Sequence, residues 1–144
     1  MTAPPILGLD HVVLRVTDLD RARDFYCDVL GCQVEVFQRK IGLLQLRAGD
    51  CLIDLVPVDG ELGRKGGAPP GAEGRNMDHF CLRVRPFDPA AIMAHLSAHG
   101  VDPGQVQQRY GAEGMGPSIY LSDPDGNVVE LMGPATSKEQ PAGS

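Results

Sequence analysis

Two histidines and two carboxylates stand at matched places in a sequence that is written twice. His11 lies in Leu9-Asp10-His11-Val12-Val13-Leu14-Arg15-Val16 and His79 in Met77-Asp78-His79-Phe80-Cys81-Leu82-Arg83-Val84, with five of eight positions identical at an offset of 68 residues. Such self-similarity marks a duplicated structural unit. The acids repeat in the same way: Ile53-Asp54-Leu55 and Val129-Glu130-Leu131 each set one carboxylate between two apolar residues. Strand side chains alternate between faces, so His11, Val13 and Arg15 share one face while Val12, Leu14 and Val16 take the other. His79, Cys81 and Arg83 fall likewise opposite Phe80, Leu82 and Val84. Taken singly, a strand acid is more often solvated than ligating. The matched placement in both halves is what raises the expectation that the histidines and acids converge on one metal ion. Imidazole nitrogen with carboxylate oxygen suits Zn, Ni, Mn, Co or Fe, and the lack of thiolate at these places argues against a structural zinc site.

The elements that must position these groups also repeat. After the first histidine strand, Asp18 or Asp20 can cap a helix with an apolar stripe at Ala22, Phe25, Tyr26, Val29 and Leu30, stopped by Gly31. After the second, Asp88-Pro89 opens a helix carrying Ile92, Met93 and Leu96 that stops at Gly100. Three strands are predicted behind each helix, at about 32–38, 42–48 and 51–57, then about 105–110, 117–122 and 127–132. Asp123-Pro124-Asp125-Gly126-Asn127 is a strong turn signal before the last. The fold class expected is α+β, two βαβββ modules forming curved mixed sheets around a metal-binding cavity. A single domain over 1–144 is expected, with module 1 at about 7–58 and module 2 at about 77–133. The stretch 59–76 between them, with six glycines and two prolines, reads as a connection or mobile lid, and 134–144 as a frayed tail. His95 and His99 are spaced for a helical metal pair but lack the acid of a zinc motif, and a helix C-terminus favours imidazolium there.

Bulk composition narrows the partners. A net charge of −6 repels phosphate backbones, so nucleic acid is not expected. No apolar run is long enough for a membrane span. The opening Met1-Thr2-Ala3-Pro4-Pro5 has neither the basic nor the apolar region of a secretory signal. Cys27, Cys32, Cys51 and Cys81 form no C-x-x-C pair and read as reduced thiols, which points to the cytoplasm.

The paired modules, the opening Asp10-His11-Val12-Val13-Leu14-Arg15-Val16, the helix end Phe25-Tyr26-x-x-Val29-Leu30-Gly31 and the close Asp123-Pro124-Asp125-Gly126-Asn127-Val128-Val129-Glu130-Leu131 together resemble the vicinal oxygen chelate superfamily. The resemblance covers roughly 7–133 and is specific for the fold, much less so for the reaction. It implies one divalent metal per chain, with His11 and His79 matching the family's strand histidines and Glu130 its final-strand glutamate. Asp54 sits where glyoxalase I and the methylmalonyl-CoA epimerase resemble each other in having glutamate, and its shorter side chain would reach the metal directly or through water. Arg15 matches an arginine that glyoxalase I uses on the glutathione carboxylate, and Arg75 resembles a second such arginine. Val58 replaces the family's glutathione-binding asparagine, which weakens glutathione as the substrate.

The resemblance leaves several functions open. A glyoxalase-type lyase or isomerase would act on a small molecule with two vicinal oxygens through an enediolate-like intermediate, with Glu130 or Asp54 moving the proton. An extradiol dioxygenase would use His11, His79 and Glu130 as a two-His, one-carboxylate site. Epimerase and fosfomycin-transferase readings are further alternatives. A metal-free drug-binding module of the bleomycin-resistance type would need aromatic walls, whereas only 5% of the chain is aromatic and tryptophan is absent. A homodimer is expected, since relatives pair chains or swap modules to cover open sheet edges.

Overall fold

The structure, a computed structural model, describes residues 3–143 and divides into a first unit up to Pro70 and a second from Gly71. In the first unit β1 (His11–Val16) is followed by the helix α1 (Leu19–Asp24), then β2 (Gln33–Gln38), β3 (Leu43–Ala48) and β4 (Cys51–Pro57). In the second, β5 (Phe80–Arg83) leads to α2 (Pro89–Ala98), β6 (Gln107–Gly111), β7 (Gly114–Ser122) and β8 (Val128–Met132). The sheets have matching orders, β1-β4-β3-β2 and β5-β8-β7-β6, and in each only the first pair is parallel. Both halves are therefore βαβββ, the α+β fold expected, with sheets that do not close into barrels.

Local chemistry accounts for the helices. Asp18 caps α1 by accepting from the Arg21 backbone N–H at 3.0 Å, and Asp88 caps α2 through Ala91 at 3.2 Å, with Pro89 in the first turn. Beyond α1 the chain widens into a π turn over Phe25–Val29, closed by a Leu30 N–H to Phe25 carbonyl bond of 3.3 Å. This turn leaves both Phe25 and Tyr26 buried, edge to face with ring centroids 5.1 Å apart.

Alternation builds each core. Leu14, Val16, Leu44, Leu46, Ile53 and Leu55 are buried with Ala22, Phe25 and Tyr26 in the first unit. In the second, Ile119, Leu121, Val129 and Leu131 are buried, as is Leu96 of α2. Each such aliphatic side chain contributes about 1.5–3 kcal/mol by leaving water. The residues between them therefore project to the opposite face, and these include Asp54 and Glu130.

Four features differ from expectation. The second histidine strand begins at Phe80, so His79 stands one residue ahead of it; β7 begins at Gly114 rather than near 117. Part of the 59–76 connection is packed: a 3-10 turn spans Gly63–Gly66, and the Arg15 guanidinium bonds to the segment. The tail is tied to β7 by a bridge between Met115 and Ser137, with two backbone bonds of 2.7 Å.

Candidate metal and acid-base site

In the first unit the donor pair is His11 and Asp54. Register fixes their relation: β1 and β4 run parallel with Val13 opposite Asp54 and His11 opposite Leu52, so the histidine and the acid are diagonal neighbours on one face. The ring of His11 is 47% exposed, while Asp54 is buried. Gln45, directly across on β3, donates its side-chain amide to both Asp54 oxygens at 3.3 and 3.2 Å. Burial raises the Asp54 pKa above the ordinary aspartate value, opposed by the Gln45 amide and by His11. The His11 pKa is raised in turn, first by the hydrogen bond to Asp10 and then by the charge of Asp54.

The second unit presents the matching set with different neighbours. Glu130 is buried on β8, opposite Cys81 on β5 and opposite Tyr120 on β7. The Glu130 carboxylate raises the pKa of the Tyr120 hydroxyl and of the Cys81 thiol. For Tyr120 the interaction with that carboxylate is the first cause. For Cys81, exposed as a residue, desolvation at the thiol comes first and its pKa is pushed up to about 12. The His79 ring meets Tyr120 edge to face at 5.3 Å, and the Arg109 guanidinium carbon lies over the Tyr120 ring, 4.3 Å from its centroid. Arg109 is itself held by the Ser118 hydroxyl at 2.8 Å and carbonyl at 3.0 Å.

Both histidines make the same small contact. His11 Nδ1 is 3.0 Å from Asp10 Oδ1, and His79 Nδ1 is 2.5 Å from Asp78 Oδ2. A ring donating from Nδ1 keeps Nε2 as a lone-pair donor. By donor type alone, imidazole nitrogens and a carboxylate suit a divalent ion. Among the described residues, no group of three or more His, Cys, Asp or Glu side chains lies close enough together to hold a metal.

The arginines separate. Arg15 Nε donates to the Gly63 carbonyl at 2.7 Å, Nη1 to Gly66 and Ala68 at 3.2 and 3.1 Å, and Nη2 to Gly67 at 2.7 Å. Its first visible task is to organise that segment. A Cβ at Gly66 would come within 2.4 Å of the guanidinium carbon, so a larger residue there requires the Arg15 side chain to move. Arg75, in the second unit, is exposed. His95 and His99 stack at 4.4 Å on and just after α2, with His99 Nδ1 against the His95 carbonyl at 3.0 Å. Asp10, Asp78, Gln45 and Tyr120 were not among the sequence candidates. The first two had a signal, since Asp-His occurs in both copies; the others emerge only with the strand register.

A model of the Glyoxalase/Bleomycin resistance protein/Dioxygenase superfamily matches residues 8–131. This chain belongs to that superfamily. It is 34% identical over 129 residues to the glyoxalase domain-containing protein RDO1 of Mycosarcoma maydis, covering 88% of this chain and 68% of that one. Virulence protein STM3117 of Salmonella typhimurium is 31% identical over 124 residues, 85% of this chain and 81% of that protein. The crystal structure of STM3117 superposes with a TM-score of 0.75 at 27% identity, over 92% of this chain and all 100% of that one. Biphenyl-2,3-diol 1,2-dioxygenase 2 of Rhodococcus globerulus is 33% identical over 142 residues, 91% of this chain but 64% of the dioxygenase. No helix among the described residues is long and apolar enough to cross a membrane.

Proposed function

We propose that this superfamily member is a glyoxalase-type lyase or isomerase, dependent on one divalent metal and acting on a small molecule with two vicinal oxygens. His11, His79 and Glu130 would hold the ion, Zn, Ni, Mn, Co or Fe. The observation that carries the reading is Asp54: a buried carboxylate with a raised pKa, diagonal to His11 and steadied by Gln45. Such a group suits proton transfer better than direct ligation, because burial makes its carboxylate more basic than an ordinary aspartate. The bound ion supplies Lewis acidity, polarising the substrate oxygens and acidifying the neighbouring C–H. Asp54 takes that proton and returns it, while Tyr120 and Cys81 flank the Glu130 carboxylate from the neighbouring strands. Arg75 is available to an anionic part of the substrate, and Arg15 is engaged by backbone carbonyls.

The test is exchange of a substrate α-proton for solvent deuterium across a panel of thiol adducts and hydroxyketones, with metal fully loaded. Asp54→Asn is expected to slow exchange by roughly 10²–10⁴-fold while retaining metal. No exchange with any panel member would overturn the reading.

A second reading, a ring-cleaving dioxygenase, is favoured by the same Gln45 contact. With Asp54 withheld, two histidines and one carboxylate leave three coordination positions for a catechol and oxygen. The likeness to a biphenyl-diol dioxygenase points the same way. Oxygen uptake with catechols after anaerobic Fe²⁺ loading, without deuterium exchange, would select it. A chain that takes up no metal would instead leave the drug-binding module.

A further inference from the structure

Within a strand, adjacent side chains point to opposite faces, so an aspartate and the histidine after it do not ordinarily meet. Here they meet twice. His11 is the first residue of β1 and His79 stands just ahead of β5, so each preceding aspartate lies where strand alternation is not yet imposed and can fold back onto the ring. The result is Asp10 Oδ1 at 3.0 Å from His11 Nδ1 and Asp78 Oδ2 at 2.5 Å from His79 Nδ1. The two copies diverge immediately afterwards, Val12-Val13 against Phe80-Cys81, yet the Asp-His step and its contact are kept.

A carboxylate accepts and does not donate, so the bond requires the ring proton on Nδ1 and fixes both the tautomer and the ring's rotation. We infer that Asp10 and Asp78 are positioning residues: they present Nε2 of His11 and of His79 to the metal and make each imidazole a stronger donor. This rests on the metal reading above. Outer carboxylates of this kind typically change metal affinity by 10–100-fold. Asp10 and Asp78 are 84% and 95% exposed, so water competes for both bonds and each belongs at the low end, about tenfold.

The experiment has two readouts on a chain without an affinity tag. Histidine ring ¹⁵N shifts of the metal-free protein near pH 8 report the tautomer, and calorimetric titration with Zn²⁺ alone reports affinity. Wild type should show Nδ1–H at His11 and His79. Asp10→Ala and Asp78→Ala should each shift their own histidine toward mixed tautomers and weaken Zn²⁺ about tenfold. Asp10→Asn and Asp78→Asn should rescue the tautomer, because an amide oxygen still accepts from Nδ1–H. Both positions are exposed, and circular dichroism will verify that every variant is folded. Ring shifts and Zn²⁺ affinity unchanged in both alanine variants would overturn the inference. A wild-type chain that binds no Zn²⁺ would overturn the metal reading and the affinity half of this inference with it, while the ring shifts would still decide the tautomer half.

Discussion

At the residue scale, the duplicated histidines and acids were legible because their types and spacing are visible in one dimension. Their partners were not. Gln45 and Tyr120 reach Asp54 and Glu130 across antiparallel pairs, and a register is set by turns and core packing that no local spacing reveals. His79→Ala and Glu130→Ala are expected to lose the metal, as read by elemental analysis, whereas Asp54→Asn keeps it. The raised His11 pKa predicts two opposed pH effects. Folding favours the protonated ring, so this contribution to stability is full below about 6.5 and is lost as pH rises through the raised value. Metal needs the ring unprotonated, so as pH is lowered Zn²⁺ affinity should start to fall while the pH is still above 6.5, by about tenfold per unit once His11 is protonated. Asp10→Ala should move that onset downward, and titrations between pH 6 and 8 will test both signs.

At the scale of elements, turn chemistry was the most readable part of the sequence. Asp123 and Asn127 are buried in the turn before β8, and Asp123 Oδ1 accepts from the backbone of Asp125 at 2.9 Å and of Asn127 at 2.8 Å. Its other oxygen takes the Asn127 amide at 2.8 Å, while Gly126 supplies a φ of +82°. Asp123→Ala therefore leaves buried donors without partners and should lower unfolding stability by about 2 kcal/mol in denaturant titrations. The glycine-rich connection was harder to read, because composition carries no sign of a guanidinium arriving from β1. If Arg15 serves that segment, Arg15→Ala should speed hydrogen exchange at the amides of Lys65 and Gly67 without altering Zn²⁺ affinity. Unchanged exchange would return Arg15 to substrate binding. The π turn after α1 was read as ordinary helix, since its apolar positions satisfy the 3.6-residue pattern as well.

For the whole molecule, the repeat made the fold class and strand count accessible without any register. The boundary of each unit was less so: it falls after Pro70, inside the stretch read as one connection. The edge strands are β1 and β2 in one sheet and β5 and β6 in the other, and Val34 and Val36 of β2 are exposed. Open edges of this kind invite pairing with a second chain. A homodimer is accordingly proposed, and light scattering at micromolar concentration should give twice the 15.4 kDa of one chain; the single mass would refute it.

The thiol at Cys81 carries a consequence for survival in service. Held near a pKa of about 12, it exists as thiolate to roughly one part in 10⁵ at pH 7 with no metal bound, against a few per cent for an ordinary cysteine. Buried Cys32, pushed up to about 11, is similarly quiet. A catalyst that handles electrophilic carbonyl compounds is exposed to alkylation by its own substrate, and a nucleophile on the same sheet face as Glu130 would be first in line. On the proposed reading, desolvation of that sulfur beside the Glu130 carboxylate protects it from such alkylation, and wild-type Cys81 should label with iodoacetamide far more slowly than a free thiol.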